Sequence, residues 1–152
     1  MTTALTSHTD RNLDAACAAG ATEIGRTDGK ASLLLAFNGA ALAGLATLAD
    51  MNLPTPARVL KTLAATAIGC ATVLLLLVVR PRLGGQDHAS FPYWAQLAET
   101  EIHASMTSDT RAARIRILSG IAAAKFTKLR RAVDCTLAAL ALLALAAIST
   151  PL

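Results

Sequence analysis

Aromatic side chains make up only 3% of this 152-residue chain, which holds just three cysteines and three histidines. With so few rings, a soluble core would have to be packed almost wholly from small and medium aliphatic side chains, which argues for helices over a β-sandwich. Cys17, Cys70 and Cys135 are odd in number and far apart, so neither a disulfide framework nor a zinc cluster is expected. They read as small apolar residues. His8, His88 and His103 have no spacing that would give a metal site or a catalytic dyad, and read as solvated. Gly29-Lys30-Ala31-Ser32 invites a phosphate-loop reading and fails it. That motif needs Gly, four residues, then Gly-Lys followed directly by Ser or Thr, whereas Gly25 stands too close and Ala31 follows the lysine. No nucleophile and base can be paired, so no enzyme is expected, and no metal or catalytic residue is assigned.

Charge is also sparse, at 16%, and its placement matters more than its net value of +4, which carries no expectation of nucleic acid. Hydrophobic residues reach 54% and mean hydropathy is +0.50, high for a soluble protein of this size. The surplus sits in three runs. Residues 31–49 lack any charge between Lys30 and Asp50, and such a helix is about 28 Å long, close to the hydrocarbon thickness of a bilayer. Residues 62–79, bracketed by Lys61 and Arg80, form the second run, and 135–152 the third, after Asp134. Three buried helices of a soluble bundle would need more amphipathic partners than the rest of the chain supplies. The first run follows some thirty residues carrying both signs of charge, so it is retained as a span and not a cleaved leader.

The expected fold is therefore an all-α integral membrane protein with three transmembrane helices. Cytoplasmic segments hold the excess of Lys and Arg. The N-terminal segment, 1–29 with Lys30, and the 80–134 region together carry twelve, and the 50–61 loop two. The N-terminus and the 80–134 region are thus placed in the cytoplasm and the C-terminus outside.

Between the spans, Leu13, Cys17, Ala21 and Ile24 mark an N-terminal amphipathic helix, with Thr9 and Asp10 as caps. Pro54 and Pro56 predict a turn between two antiparallel spans, a helical hairpin. The stretch Arg80 to Asp87 ends the second span. Phe91-Pro92-Tyr93-Trp94 reads as an interfacial anchor or a stacking platform, followed by a short helix over 95–107. Ser108 and Asp109 are N-caps for a helix expected to run unbroken into the third span. Its apolar stripe is Ile115, Leu118, Ala122, Phe126, Leu129 and Val133, flanked by Arg114 and Lys125. Small residues at three and four spacing, Ala36, Ala40 and Gly44, then Ala65 and Gly69, then Ala138, Ala141 and Ala144, allow close helix approach and a homo-oligomer. Asn38, deep in the first span, should face the bundle or another protomer. Asp134 beside Arg131 reads as an ion pair.

The segment from Glu23 to Gly39 resembles the start of the first span in Pycsar effector transmembrane proteins, where Ala-Asp-x-Lys-Ala precedes leucines and an Asn or Asp before small residues. Asp28, Lys30, Ala31 and Asn38 fall on that pattern, and Thr27 departs from its alanine. A second stretch is similar too: Asp109-x-Arg111, Arg114-Ile115-x-Ile117-Leu118, and Lys125-Phe126-x-Lys128-Leu129-Arg130-Arg131-Ala132. The resemblance implies antiphage defence: a pyrimidine nucleotide cyclase makes cyclic CMP or cyclic UMP, and the membrane effector impairs the bilayer. Related sequences also occur as plasmid transfer proteins, a structural alternative without small-molecule input. A transporter subunit is disfavoured, since no span carries a charge in its middle.

A cyclic nucleotide has one negative phosphate, which charge-assisted hydrogen bonds can hold. Arg111, Arg114, Lys125 and Lys128 are the expected contacts, with Tyr93 or Trp94 stacking on the base. A basic juxtamembrane helix also binds anionic lipid. Asp28, Lys30, Asn38, Gly39, Gly44 and Gly69 are assigned to the family motif and helix packing.

Overall fold

The computed structural model describes residues 2–47, 54–81 and 90–149, with side chains in the first helix from Ser7 onward. Met1, residues 48–53 and 82–89 and the last three lie outside it, and so do the expected ends of the first and third spans, most of the stretch Arg80 to Asp87 and the reading of His88. Five helices follow in order: α1 Thr2–Thr47, α2 Thr55–Val79, α3 Phe91–Trp94, α4 Glu99–Ser105 and α5 Arg111–Ile148. No strand occurs among the described residues. Stretches of α1, α2 and α5 are long and apolar enough to cross a membrane.

Several boundaries differ from the expected ones. α1 runs unbroken through Gly29 and Lys30, where the sequence reading divided an amphipathic helix from a span; Thr9 and Asp10 lie inside it and cap nothing. The reason is that no proline or capping geometry interrupts the stretch, and a change from amphipathic to apolar composition is not a stop signal. α2 begins at Thr55, seven residues before the expected span, because Pro56 occupies the first turn, where a missing N–H costs nothing. The N–H of Arg58 already donates to Pro54 O at 3.0 Å. Of the expected helix over 95–107 only α4, Glu99–Ser105, forms; a separate turn, α3, precedes it at Phe91–Trp94. The turn between them is fixed by the Glu101 carboxylate, which accepts from the Ala98 N–H at 2.9 Å, half of a capping box. α5 continues without a break from Arg111 to Ile148, and the Asp109 carboxylate accepts the Arg111 N–H at 3.0 Å at its start.

The chain divides into two compact units. The first comprises residues 1–26 and 81–124, the second 27–80 and 125–152, so α1 and α5 contribute to each and α2 to the second alone.

In the second unit three helices pack around two clusters. Ala31 meets Leu75, Val78, Leu129 and Ala132, with Leu34, Leu35 and Leu74 against them. Ala64, Ile68 and Ala139 form the other, with Ala41, Leu42, Leu45, Leu142 and Leu143 around it. The early part of the α1 span thus meets the end of α2 and its later part meets the start of α2, so these two run antiparallel, while α1 and α5 run parallel. Because lipid is as apolar as leucine, close van der Waals packing holds such helices together, which is why the fully buried positions are so often alanine. Hydroxyls within the spans close on their own helix: Thr66 donates to Thr62 O at 2.9 Å and Thr72 to Ile68 O at 2.9 Å.

The inward positions follow a seven-residue repeat. On α1 they are Leu13, Cys17, Gly20, Ile24, Thr27, Ala31, Leu34, Asn38, Ala41 and Leu45, each buried or half-buried, at alternating spacings of four and three. On α5 the same alternation picks out Arg111, Ile115, Leu118, Ala122, Lys125, Leu129, Ala132, Thr136, Ala139 and Leu143. A strict heptad is the pattern of left-handed supercoiling. Two members of the stripe expected on α5 are displaced: Phe126 is 42% exposed and Val133 gives its place to the fully buried Ala132. On α1, Gly20 and not Ala21 lies on the inner face. A Cβ on Gly20 would stand 3.3 Å from Leu118 Cβ, so glycine there lets α1 and α5 close up within the first unit. The small residues Ala36, Ala40 and Gly44, and Ala138, Ala141 and Ala144, face outward, and Ala65 and Gly69 are half-buried.

Candidate functional site

In the first unit the expected ligand residue Arg111 sits at the first turn of α5, 29% exposed, with its guanidinium fully engaged. Nε donates to Asp109 Oδ1 at 2.9 Å and Nη2 to Asp109 Oδ2 at 3.0 Å, the two-pronged geometry in which Arg grips carboxylate or phosphate. The remaining donors go to α1: Nη2 to Asp10 Oδ1, Nη1 to Asp14 Oδ1 at 3.2 Å and Nη1 to Asp10 O at 3.2 Å. All five N–H groups of the fork therefore have carboxylate or carbonyl partners. The side-chain bond from Arg111, then the one from its backbone N–H, hold the Asp109 carboxyl down from 3.8 to about 2. The same carboxylates, Asp109 first, push Arg111 further above its ordinary value. The Cys17 thiol also lies 3.7 Å from Arg111 O, a weak sulfur contact to the same turn.

Arg114, one turn along, is half-buried, and its Nε is buried with no partner among the described residues. Tyr93 and Trp94 lie half-buried in the single turn of α3, after Pro92. These four expected ligand residues belong to the first unit, whereas Lys125 and Lys128 belong to the second.

There, Lys125 reaches back to α1. Its Nζ forms an ion pair with Asp28 Oδ1, with side chains 17% and 35% exposed. The two stretches that carry the sequence resemblance thus meet in one contact, at a chain separation of 97 residues. Lys128 and Lys30 are exposed. Asp134 is exposed as well, and no ion pair joins it to Arg131 among the described residues; one turn apart at the edge of the bundle, both heads turn outward.

Deeper in the spans, Asn38 is fully buried and faces the bundle. Thr136 Oγ1 lies 3.3 Å from Asn38 Oδ1 and 3.0 Å from Ala132 O, and a hydroxyl has one proton for both. Asn38 Nδ2 has no partner among the described residues. Turning the amide over would bond Nδ2 to the Thr136 oxygen and leave Oδ1 alone, so one polar atom of Asn38 is unsatisfied in either orientation. Such an atom costs about 1–3 kcal/mol. Gly39, Gly44 and Gly69, assigned to packing, have no heavy atom within 4 Å of a Cβ built on them.

The sequence reading missed Asp10 and Asp14 as partners of Arg111, Gly20 as a close-approach position and Thr136 as the partner of Asn38. A signal for the last two existed: each falls on the seven-residue repeat, which is set by position and not by hydrophobicity. None existed for the Asp10 and Asp14 contacts, which join residues about a hundred positions apart on otherwise polar helix faces.

No curated protein and no solved structure matches the chain. A family model, that of the Pycsar effector protein domain, matches residues 12–150, which takes in the unbroken α5, all of α2 and all but the first turns of α1. Three long apolar helices, the Asp28 and Lys125 stretches brought into contact, and a match over nearly the whole length place this membrane protein in the Pycsar effector family.

Proposed function

We propose that this protein is the membrane effector of a Pycsar antiphage system, triggered by cyclic CMP or cyclic UMP made by a partner cyclase, and that it impairs the bacterial inner membrane when triggered. It does so without catalysis and without a resident cofactor. The observation that carries the reading is the family match over residues 12–150, which takes in both helices that run unbroken from the charged first unit into the spans. The N-terminus and residues 81–124 face the cytoplasm, where the cyclase product is made, by the weight of Lys and Arg on that side.

Within this reading the ligand contacts narrow to the first unit: Arg111 and Arg114 for the phosphate, Tyr93 or Trp94 for the base. A phosphodiester fits the Arg111 fork as Asp109 does, and must displace it. Lys125 is engaged with Asp28 and serves helix packing instead. A ligand drives change only if it prefers one arrangement over the other. Phosphate on Arg111 meets that condition, because it competes with the carboxylates that tie α1 to α5 in the first unit. Copies of the protein associate in the membrane as the active form.

The test is dye release from proteoliposomes holding the protein in one orientation. Cyclic CMP or cyclic UMP releases dye, and cyclic purine nucleotides do not. Retention of dye with every cyclic nucleotide at saturation removes the trigger from the proposal. Arg111→Ala with Arg114→Ala inserts normally and loses the response; full release from that variant moves the site elsewhere.

A further inference from the structure

We infer that the outward faces of α1 and α2, headed at one level of the second unit by Lys30 and Arg80, each seat an anionic phospholipid, its phosphate on the cation and its acyl chain along the apolar residues beyond. The inference rests on the three long helices lying in a bilayer and not on the nucleotide trigger.

The packing fixes the level. Ala31, Val78, Leu129 and Ala132 belong to one cluster. Lys30, Arg80, Lys128, Arg130 and Arg131 each stand within two residues of one of them, about 3 Å along a helix axis. All five cations are exposed, and none forms an ion pair among the described residues. Two carboxylates lie close to the same band; Asp28 is taken by Lys125, which leaves Asp134 against the five. Further into the spans the same faces turn apolar. Three and seven positions past Lys30, on its side of α1, come Leu33, 75% exposed, and Phe37. Three, four and seven positions before Arg80 come Leu77, Leu76 and Val73, all exposed. Neither span holds a carboxylate there, whereas on α5 Asp134 stands between Arg130 and the exposed Leu137. The occupant of the α1 and α2 faces must therefore be anionic at one end and apolar for two turns beyond it. A free phosphate has nothing to set against Leu33 or Leu76. A zwitterionic lipid brings a cation of its own into a field that is already positive, so a lipid of net negative charge fits best.

The test reads which lipid touches each face. The full-length protein carries Trp94→Phe, which removes its one native indole, and a single reporter, Leu33→Trp on α1 or Leu76→Trp on α2. It is placed in liposomes of phosphatidylcholine and phosphatidylglycerol, with bromine on the chains of one lipid or the other and no nucleotide present. Quenching shows phosphatidylglycerol preferred by roughly fivefold, the factor one Lys or Arg supplies at an anionic surface. Lys30→Gln removes the preference seen by the first reporter and Arg80→Gln that seen by the second, while Arg116→Gln, in the first unit, changes neither. Equal quenching by the two lipids overturns the inference. So does a preference that survives Lys30→Gln and Arg80→Gln, or one that Arg116→Gln removes as well, which reduces it to net charge. Loss of the preference in inorganic phosphate at constant ionic strength makes the cations a free-anion site, and loss of quenching by both lipids as the protein-to-lipid ratio rises gives the faces to a second copy; either result overturns it. Should one reporter fail to insert, the other decides. A preference found in liposomes that ignore cyclic nucleotides leaves this inference standing and removes the trigger only.

Discussion

The ion pair between Asp28 and Lys125 can be weighed by a double-mutant cycle of Asp28→Asn and Lys125→Met. Exposed pairs contribute about 0.2–1 kcal/mol, and removing one partner of a buried pair costs about 3–5 kcal/mol. With the ammonium 17% exposed and the carboxylate 35%, this pair lies between those limits. We expect a coupling of about 2 kcal/mol, roughly a thirtyfold shift in the unfolding equilibrium. The two single variants should not be equal. Asp28→Asn strands the more buried partner, the ammonium, and costs more than Lys125→Met, whose remaining carboxylate still reaches water. The double variant should cost less than the sum of the singles by the coupling. Unfolding by sodium dodecyl sulfate in mixed micelles, followed by the loss of helical circular dichroism, measures all four proteins. A coupling below about 0.5 kcal/mol, the scatter expected for independent sites, refutes the view that this contact ties α1 to α5 within the second unit. The swap Asp28→Lys with Lys125→Asp should recover most of what either single reversal loses.

Other outcomes follow from the same packing. Leu75→Ala removes a fully buried side chain; in water such a change costs about 2–5 kcal/mol, but lipid cancels the transfer term and leaves a packing loss of about 1–2 kcal/mol in the same unfolding assay. Gly20→Leu overpacks the approach to Leu118 and destabilises by about 1–3 kcal/mol, whereas Gly20→Ala is close to neutral, because the gain in helix propensity offsets a tight contact. Asp109 has its carboxyl lowered in the folded protein, so its contribution is complete above 3.8 and is lost as pH falls from there through about 2. The distance between spin labels at Ser7 and Ala112 should therefore hold constant from neutral pH down to 3.8 and broaden only below it; broadening near neutral pH counters the assignment of Asp109 as the group that anchors Arg111.

The three spans were legible because each is an apolar run without charge, two of them bracketed by charges and the third preceded by one, a signal that needs no knowledge of partners. The start of α2 was not, since Pro54 and Pro56 suit a turn and a helix's first turn equally, and only the Arg58 bond to Pro54 distinguishes them. The continuity of α1 was hidden by its change of composition near Lys30. The inner face of α5 was drawn toward Phe126 and Val133 because hydrophobicity was taken as the guide, yet the buried seam includes Lys125, Ala132 and Thr136. Lys125 and Thr136 belong inside because Asp28 and Asn38 on α1 meet them there, and a partner some 97 or 98 positions away leaves no local trace. For the same reason the basic residues looked alike in sequence, while the fold gives Arg111 three carboxylates, Lys125 one, and leaves Lys128 at the surface.

The heptad also bears on how the gene can change length. Inserting or deleting seven residues within α1 returns its stripe to the same side, whereas a single added residue swings everything downstream by about 100° and faces the stripe outward. Not every in-phase change is equivalent, however. A seven-residue slip keeps leucines and alanines against their like but carries Asp28 away from Lys125, or Asn38 away from Thr136. The polar members of the seam thus act as a checksum on the greasy ones, so that length variants surviving in nature should cluster in the stretches that link the helices.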